Sequence, residues 1–168
     1  MTKIINLFAG PGAGKSTTAA GLFHKMKLQG ESVEYVQEFA KDLTWSAWHN
    51  ALDCQSYVFG QQLWRIERLI GKVDYIITDS PLLLSLIYKP KDYPNSFDNF
   101  VLDMFNKYDN INFYLIRKKK YISIGRNQTE DEAKVIDEIT KSTLNKYEIP
   151  YLIVEGTEEA VNLIRKYL

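Results

Sequence analysis

The chain has 168 residues, of which 45% are hydrophobic and 25% are charged, a composition typical of a globular protein of ordinary domain size. Lys and Arg number 21, and so do Asp and Glu, so no global positive field would attract nucleic acid or a membrane surface. No apolar run approaches the about 20 residues of a membrane span, no signal peptide is expected, and the single Cys54 excludes an internal disulfide. We therefore expect a cytoplasmic protein with a single domain over 1–168, as a monomer or homodimer.

Apolar runs of strand length alternate with helical patterns along the chain. The runs predict five strands, at 3–9, 32–37, 74–79, 111–116 and 150–155. Helical spacing predicts helices over 15–28, 53–70, 96–108, about 129–147 and 158–168, and one more after Pro81. This alternation predicts an α/β fold, a parallel sheet between two helical layers, with ligands beyond the carboxyl ends of the strands.

The first predicted strand is joined to the first helix by AGPGAGKSTT, at 9–18. Glycines in such a loop let backbone N–H groups turn inward, where they bind anionic oxygens together with the start of the helix. Lys15 would reach the outer phosphates and the Ser16 hydroxyl would bind Mg²⁺. The residues expected to hold the phosphates of ATP are Gly10, Gly12, Ala13, Gly14, Lys15, Ser16 and Thr17.

The stretch 9–17 resembles the phosphate loop of the P-loop NTPases, and among them that of the small-molecule kinases, although Ala9 stands where the motif has Gly. The resemblance implies a three-layer α/β/α sandwich whose five parallel strands have the spatial order 2-3-1-4-5. It also implies ATP and Mg²⁺ as cofactors.

Two acids follow predicted strands at the edge where the loop lies. Glu38 comes directly after the second strand and is placed to accept a proton from an acceptor hydroxyl, with Asp42 as a rival for that role. Asp79 ends the third strand in the manner of a Walker B acid, so it would hold Mg²⁺ through water. Alternatively, Glu38 is a solvated loop acid and Asp79 caps the helix that follows.

One face of the predicted helix 53–70 carries polar and aromatic side chains that suit a planar acceptor. Tyr57 could stack on a base, Gln61 could donate to it and accept from it, and Arg65 could hold a phosphate. An amphipathic helix with a solvated face explains the same pattern.

These features together resemble deoxynucleoside and thymidylate kinases, and also ribosylnicotinamide kinases. In those families an acid after strand two contacts the acceptor sugar and an acid ends strand three, the places of Glu38 and Asp79 here. Deoxynucleoside and thymidylate kinases have Arg directly after the second of these acids, whereas this chain has Ser80. The departure favours the ribosylnicotinamide kinase-like group or a divergent nucleotide kinase.

A basic segment follows the fourth predicted strand, and P-loop kinases have a short lid here, expected around 117–130. Arg117 and Arg126 are the predicted cations that stabilise the transferring phosphate. A solvated basic loop and a contact patch for nucleic acid remain alternatives. In the resembling kinases the adenine rests against the turn after strand five, here Gly156 and Thr157, and against the lid.

The favoured function is transfer of the γ-phosphoryl group of ATP to a nucleoside, a nucleoside monophosphate or a ribosyl compound. Lys15, Glu38, Asp79, Arg117 and Arg126 are the predicted catalytic residues. A second hypothesis has a polynucleotide end or a DNA base as acceptor, which the balanced charge disfavours. A third is a switch protein that hydrolyses ATP or GTP for a protein partner.

Overall fold

The computed structural model describes residues 2–168, which fold around a five-stranded parallel sheet. The strands are β1 (Lys3–Phe8), β2 (Val33–Val36), β3 (Tyr75–Thr78), β4 (Asp109–Ile116) and β5 (Leu152–Glu155). Their spatial order is β2-β3-β1-β4-β5, so the order 2-3-1-4-5 expected from the resemblance is confirmed. All four neighbouring pairs are parallel, so the carboxyl ends of the strands lie along one edge.

The helices of the described residues lie on both faces of this sheet. They are α1 (Lys15–Leu28), α2 (Phe39–Trp45), α3 (His49–Asp53), α4 (Gln55–Glu67), α5 (Ser85–Tyr88), α6 (Asn95–Asn106), α7 (Glu130–Lys146) and α8 (Ala160–Arg165). A 3-10 turn, Leu82–Leu84, directly precedes α5. None of the helices within 2–168 is both long and apolar enough to cross a lipid bilayer.

Two apolar layers hold the helices to the sheet. Ile4 pairs with Ile76 and belongs to the layer beneath α4, α6 and α7, whereas its neighbour Ile5 pairs with Ile77 in the layer beneath α1 and α8. The alternation follows from the strand, whose successive side chains point to opposite faces. Full burial of one such side chain stabilises the fold by about 2 kcal/mol. The predicted three-layer α/β/α architecture is therefore confirmed.

The connection 39–52, for which the sequence predicts no helix, forms α2 and α3 in the structure. They have seven and five residues, too few for a helical pattern to be recognised in the sequence. Ala47 has a φ of 53° and separates them. Phe39 and Leu43 of α2 pack against Val58 of α4 in a small apolar cluster of their own. These helices extend the protein beyond the carboxyl edge of the sheet.

The start of α7 agrees with its sequence signal. Thr129 accepts from the backbone N–H of Glu132 through its hydroxyl (3.3 Å), and the Glu132 carboxylate accepts from the backbone N–H of Thr129 (2.7 Å). This reciprocal pair is the predicted capping box. It fixes the point at which the irregular segment after β4 becomes a helix.

Candidate active site

The phosphate loop lies where β1 meets α1, at the carboxyl edge of the sheet. Ala9 is fully buried at the end of the strand, so a small core side chain occupies the position where the motif has Gly. Gly12 and Gly14 have φ of 77° and 108°, in the left-handed region that favours glycine. Gly14 is also the N-cap of α1 and has no side chain to occupy the first N–H groups, which can therefore bind an anion.

Two loop glycines approach other segments so closely that a side chain would not fit. A Cβ on Gly10 would lie 2.5 Å from the carbonyl oxygen of Ala133 and 2.8 Å from Oδ1 of Asp137, both on α7. A Cβ on Gly12 would lie 2.9 Å from the ring of Tyr121. The loop is therefore enclosed by α7 and by the segment that precedes it.

Lys15 and Glu38 lie close together beside the loop. The Lys15 ammonium donates to the carbonyl oxygens of Ala9 (2.8 Å) and Gly10 (3.0 Å), so this side chain folds back over its own loop. Burial lowers the pKa of Lys15 from its ordinary 10.5, with Glu38 opposing the shift. Burial also raises the pKa of Glu38 above its ordinary 4.5, with Lys15 opposing. Burial thus disfavours the charged form of each side chain, while the opposite charge of its neighbour favours it.

Asp79 holds the ends of two strands together next to the loop. It is 2% exposed, and its Oδ1 accepts from the backbone N–H of Glu38 (3.1 Å). Burial, followed by the Asp79 charge, raises the pKa of Tyr35, with Ser16 opposing the shift. The Asp79 carboxylate and the Ser16 hydroxyl thus both influence Tyr35, and Ser16 belongs to the first turn of α1.

The donor set at this point fits a magnesium ion. The Ser16 hydroxyl and the Asp79 carboxylate are hard oxygen ligands, which Mg²⁺ prefers. Among residues 2–168 no three His, Cys, Asp or Glu side chains cluster as a metal site. Mg²⁺ commonly takes one or two protein oxygens beside waters and phosphate, so Ser16 and Asp79 are the residues that would hold it.

A cavity of about 540 Å³ extends from the phosphate loop. Its size is typical of small-molecule sites. The loop forms one end, and Glu38 with residues of α2, α3, α4 and α5 forms the other. Polar side chains away from the loop belong to Lys41, Thr44, His49, Asp53, Gln55, Ser80, Ser85 and Tyr88.

The irregular segment 117–129, which we call the lid, forms the roof of the cavity. Its tip, 124–128, is part of the cavity lining. Gly125 packs against Trp45 of α2 so closely that a Cβ on Gly125 would lie 2.6 Å from the indole. Asn127 donates to the hydroxyl of Thr44, also on α2 (3.3 Å). The lid therefore rests on a helix that the sequence analysis missed.

The two arginines of the lid occupy different positions. Arg126 lines the cavity, and its guanidinium lies 5.4 Å from the centre of the Tyr121 ring. Arg117 is not among the cavity residues, and its guanidinium lies 5.9 Å from the centre of the same ring. Its Nε donates to Oδ2 of Asp137 (2.8 Å). The structure thus places one arginine in the cavity and the other beside Gly12 of the phosphate loop, paired with Asp137.

Asp137 is a site residue that the sequence analysis missed. Its Oδ1 accepts from the backbone N–H of Gly10 (2.6 Å), in addition to the bond with Arg117. The sequence did carry a signal, because four residues of α7 recur at the spacing of one helix face and one of them is a carboxylate; the structure buries all four. These residues are Ala133, Asp137, Thr140 and Leu144.

The helix face expected to bind an acceptor lies outside this cavity. Tyr57, Gln61 and Arg65 are not among the lining residues, because α4 turns toward the loop a different face that begins at Gln55. Arg65 instead forms an ion pair with Asp42 (2.7 Å). Asp42, the rival of Glu38, is also absent from the cavity lining.

The turn after β5 packs against the back of the phosphate loop. A Cβ on Gly156 would overlap the carbonyl oxygen of Ala13, and the Gly156 N–H donates to the carbonyl of Ile116 (2.8 Å). Neither Gly156 nor Thr157 lines the cavity. Their contact with adenine therefore stays a prediction.

Comparison with known proteins places this geometry in a family. A family model described as an AAA domain matches residues 4–160, and the chain belongs to that family. No curated protein matches the sequence.

Solved structures share the fold at low sequence identity. NadR protein in complex with NR has a TM-score of 0.76 and 12% identity, over 99% of this chain and 51% of that chain. NadR protein in complex with NAD and AMP-PNP has a TM-score of 0.73 and 12% identity, over 99% and 49%. Deoxyadenosine kinase from M. mycoides with bound dATP has a TM-score of 0.60 and 18% identity, over 99% and 98%. This chain spans about half the length of the NadR chains. The resemblance to P-loop nucleoside kinase-like proteins is confirmed at the level of the fold.

Proposed function

We propose that this AAA-domain protein is a kinase that transfers the γ-phosphoryl group of ATP to a hydroxyl of a small ribosyl-containing acceptor, such as a nucleoside or a ribosyl compound. The observation that carries the proposal is the single cavity shared by the phosphate loop and Glu38, under the roof of the lid. A phosphate donor bound at the loop and an acceptor beside Glu38 would meet inside it. Positioning of this kind is the main contribution of a protein to phosphoryl transfer.

The chemistry divides among a few side chains. The acceptor oxygen attacks the γ-phosphorus, the bond from that phosphorus to the β-phosphate oxygen breaks, ADP leaves, and the acceptor proton passes to the Glu38 carboxylate. Lys15 exchanges its two loop carbonyls for phosphate oxygens. Arg126, which lines the cavity, stabilises charge on the transferring group. Mg²⁺ bound by Ser16 and Asp79 would neutralise further phosphate charge.

The second end of the cavity supports this acceptor class. Its side chains include hydrogen-bond donors and acceptors, among them the positively charged Lys41 and the negatively charged Asp53. Such a lining suits a molecule with hydroxyl groups and polar ring atoms. A cavity of about 540 Å³ roofed by the lid has room for one small molecule beside the phosphates, which disfavours a polynucleotide. Solved structures of the same fold hold NR or dATP, in agreement with a nucleoside-type ligand.

A screen for ATP-dependent phosphorylation tests the proposal. The purified protein is incubated with ATP, Mg²⁺ and each member of a panel of nucleosides, nucleoside monophosphates, ribosyl compounds and short oligonucleotides. We expect one small acceptor to gain a phosphate in amounts equal to the ADP formed. Lys15→Ala is the inactive control. ADP formation at one rate whatever acceptor is added would contradict the kinase and support a hydrolysing switch.

A further inference from the structure

One buried carboxylate on α7 holds two parts of the phosphate site at once. Asp137 is 9% exposed. Its Oδ1 accepts from the backbone N–H of Gly10 at 2.6 Å, and its Oδ2 accepts from Nε of Arg117 at 2.8 Å. The backbone carbonyl of the same residue accepts from the Tyr114 hydroxyl at 3.0 Å, which fixes α7 against the sheet. Gly10 of the phosphate loop and Arg117, the first residue of the lid, therefore share one anchor.

The guanidinium of Arg117 has a donor that is aimed at the loop. Its Nη1 is buried and has no hydrogen-bond partner among the described residues. It lies 3.2 Å from the position that a Cβ on Gly12 would take. A buried donor without an acceptor costs free energy, so this nitrogen is suited to an anion that arrives at the loop. The Tyr121 ring contacts the same glycine and lies beside the same guanidinium, so it limits how far Arg117 can turn.

The charges of Asp137 and Arg117 explain why both residues are needed for phosphate to bind at the loop. A lone carboxylate bonded to Gly10 would repel a polyphosphate, whereas Arg117 neutralises it and presents further N–H groups on the loop side. Removal of Arg117 alone would leave an unpaired buried charge at the point where phosphate binds. Removal of both charges would relieve that repulsion.

We propose that Asp137 is a positioning residue that sets the orientation of the Arg117 guanidinium toward the phosphates and couples it to the phosphate loop through Gly10. Through Asp137, the start of the lid at Arg117 and the phosphate loop at Gly10 are held in a fixed arrangement. The kinetic part of this inference rests on the proposed function, whereas its consequence for nucleotide affinity does not.

A double-mutant cycle on the full chain tests the coupling. The wild type, Asp137→Asn, Arg117→Ala and the double variant are compared in affinity for ATP by calorimetry, and in kcat and KM with the acceptor that the screen identifies. In Asp137→Asn, Oδ1 can still accept from Gly10 while the new amide faces Arg117 without an ion pair. We expect kcat to fall about 10-fold or more while the KM for the acceptor changes little.

The sign of the coupling separates positioning from plain structural support. We expect Arg117→Ala to weaken ATP binding and the double variant to bind ATP more tightly than Arg117→Ala does. The proposal would be overturned if the effects of the two single substitutions on ATP affinity simply multiplied in the double variant. It would also be overturned if Asp137→Asn lowered the melting temperature but kept wild-type kcat and ATP affinity. Glu31→Gln is the matched control, because Glu31 pairs with Arg165 outside the cavity. It is expected to change melting temperature alone.

A conservative variant covers the case in which Asp137→Asn does not fold. Arg117→Lys keeps the charge but lacks the forked N–H groups that reach Asp137 and the loop together. We expect it to lower kcat to a similar extent, and wild-type kinetics would refute the inference. If ATP binds and no acceptor is phosphorylated, the proposed kinase function fails, while the cycle of ATP affinities still decides the role of Asp137.

Discussion

The two ends of the cavity are built in different ways. The donor half, the part that we propose binds the phosphate donor, is the contiguous stretch 9–17, which would bind mainly through backbone N–H groups and one ammonium. The acceptor half combines Glu38 with side chains of α2, α3, α4 and α5, and the lid covers it. These segments lie far apart in the chain, and some of their large side chains are exposed, with Trp45 at 62% and Ile124 at 75%.

This difference separates general from specific recognition. Phosphate is bound by backbone geometry, so a short local pattern is enough to define its site. An acceptor is recognised by side chains, and these can vary without disturbing the sheet. The donor half should therefore be intolerant of substitution in every assay, whereas the acceptor half should govern which molecule reacts and how tightly it binds.

The largest expected effect is at Lys15 in the donor half. Lys15→Ala removes the ammonium that would leave Ala9 and Gly10 for the phosphates, and we expect transfer to fall on the order of 10³-fold. The rate of ATP-dependent phosphorylation measures it. Lys25→Ala is the matched control on the same helix, because Lys25 contacts only Asn162 in its side-chain hydrogen bonds. Substantial transfer by Lys15→Ala would remove the distinction between the halves.

The next effect is at Glu38, where the halves meet. Glu38→Gln cannot accept a proton, so we expect kcat to fall on the order of 10²-fold while affinity for ATP is retained. The variant Asp42→Asn is the comparison, because Asp42 is paired with Arg65 away from the cavity. It should keep nearly all activity, and a larger loss there than at Glu38 would assign the base to Asp42.

The pH dependence of kcat/KM tests whether Glu38 is the general base. Burial raises the pKa of Glu38 above 4.5, and a general base works only when deprotonated. The kcat/KM of the wild type should therefore fall as the pH drops through a value above that of an ordinary carboxyl group. The residual rate of Glu38→Gln should lack this acid limb. An unchanged limb in the variant would show that another group controls it.

A smaller effect is expected at Trp45 in the acceptor half. Trp45→Ala removes the surface on which Gly125 of the lid packs, so we expect the KM for the acceptor to rise several-fold. ADP formation without acceptor should also increase, since a loosened lid admits water. The control is Trp48→Ala, an equally exposed indole three residues on. Equal effects of the two variants would rule out a specific contact with the lid.

The smallest effect is expected at the capping box, outside both halves. Thr129→Ala removes the hydroxyl that accepts from Glu132, and we expect the free energy of unfolding to fall by about 1 kcal/mol. Urea denaturation measures this change, with Ser142→Ala in the same helix as control. Activity per folded molecule should stay near that of the wild type, because α7 continues to hold Asp137. A large loss of activity would mean that the start of α7 controls the lid.

The amino-acid sequence alone determined the sheet, the phosphate loop and the capping box. Each depends on local physics: alternating burial along buried strands, glycines before a helix N-terminus, and a hydroxyl three residues before a glutamate. Glu38 and Asp79 could be predicted at the same edge because parallel strands end together, while the adjacency of their strands was implied by the family resemblance; the structure joins the two residues through a hydrogen bond of 3.1 Å.

Only the tertiary structure decided which side chains line the acceptor half. The helices α2 and α3 are too short to leave a periodic pattern in the sequence. The face that α4 turns toward the cavity depends on how the helix packs, and in the structure that face carries Gln55 rather than Gln61. Asp137 meets Gly10 across 127 positions of sequence. Contacts over such separations arise when the apolar layers dock the helices on the sheet, which no local pattern encodes.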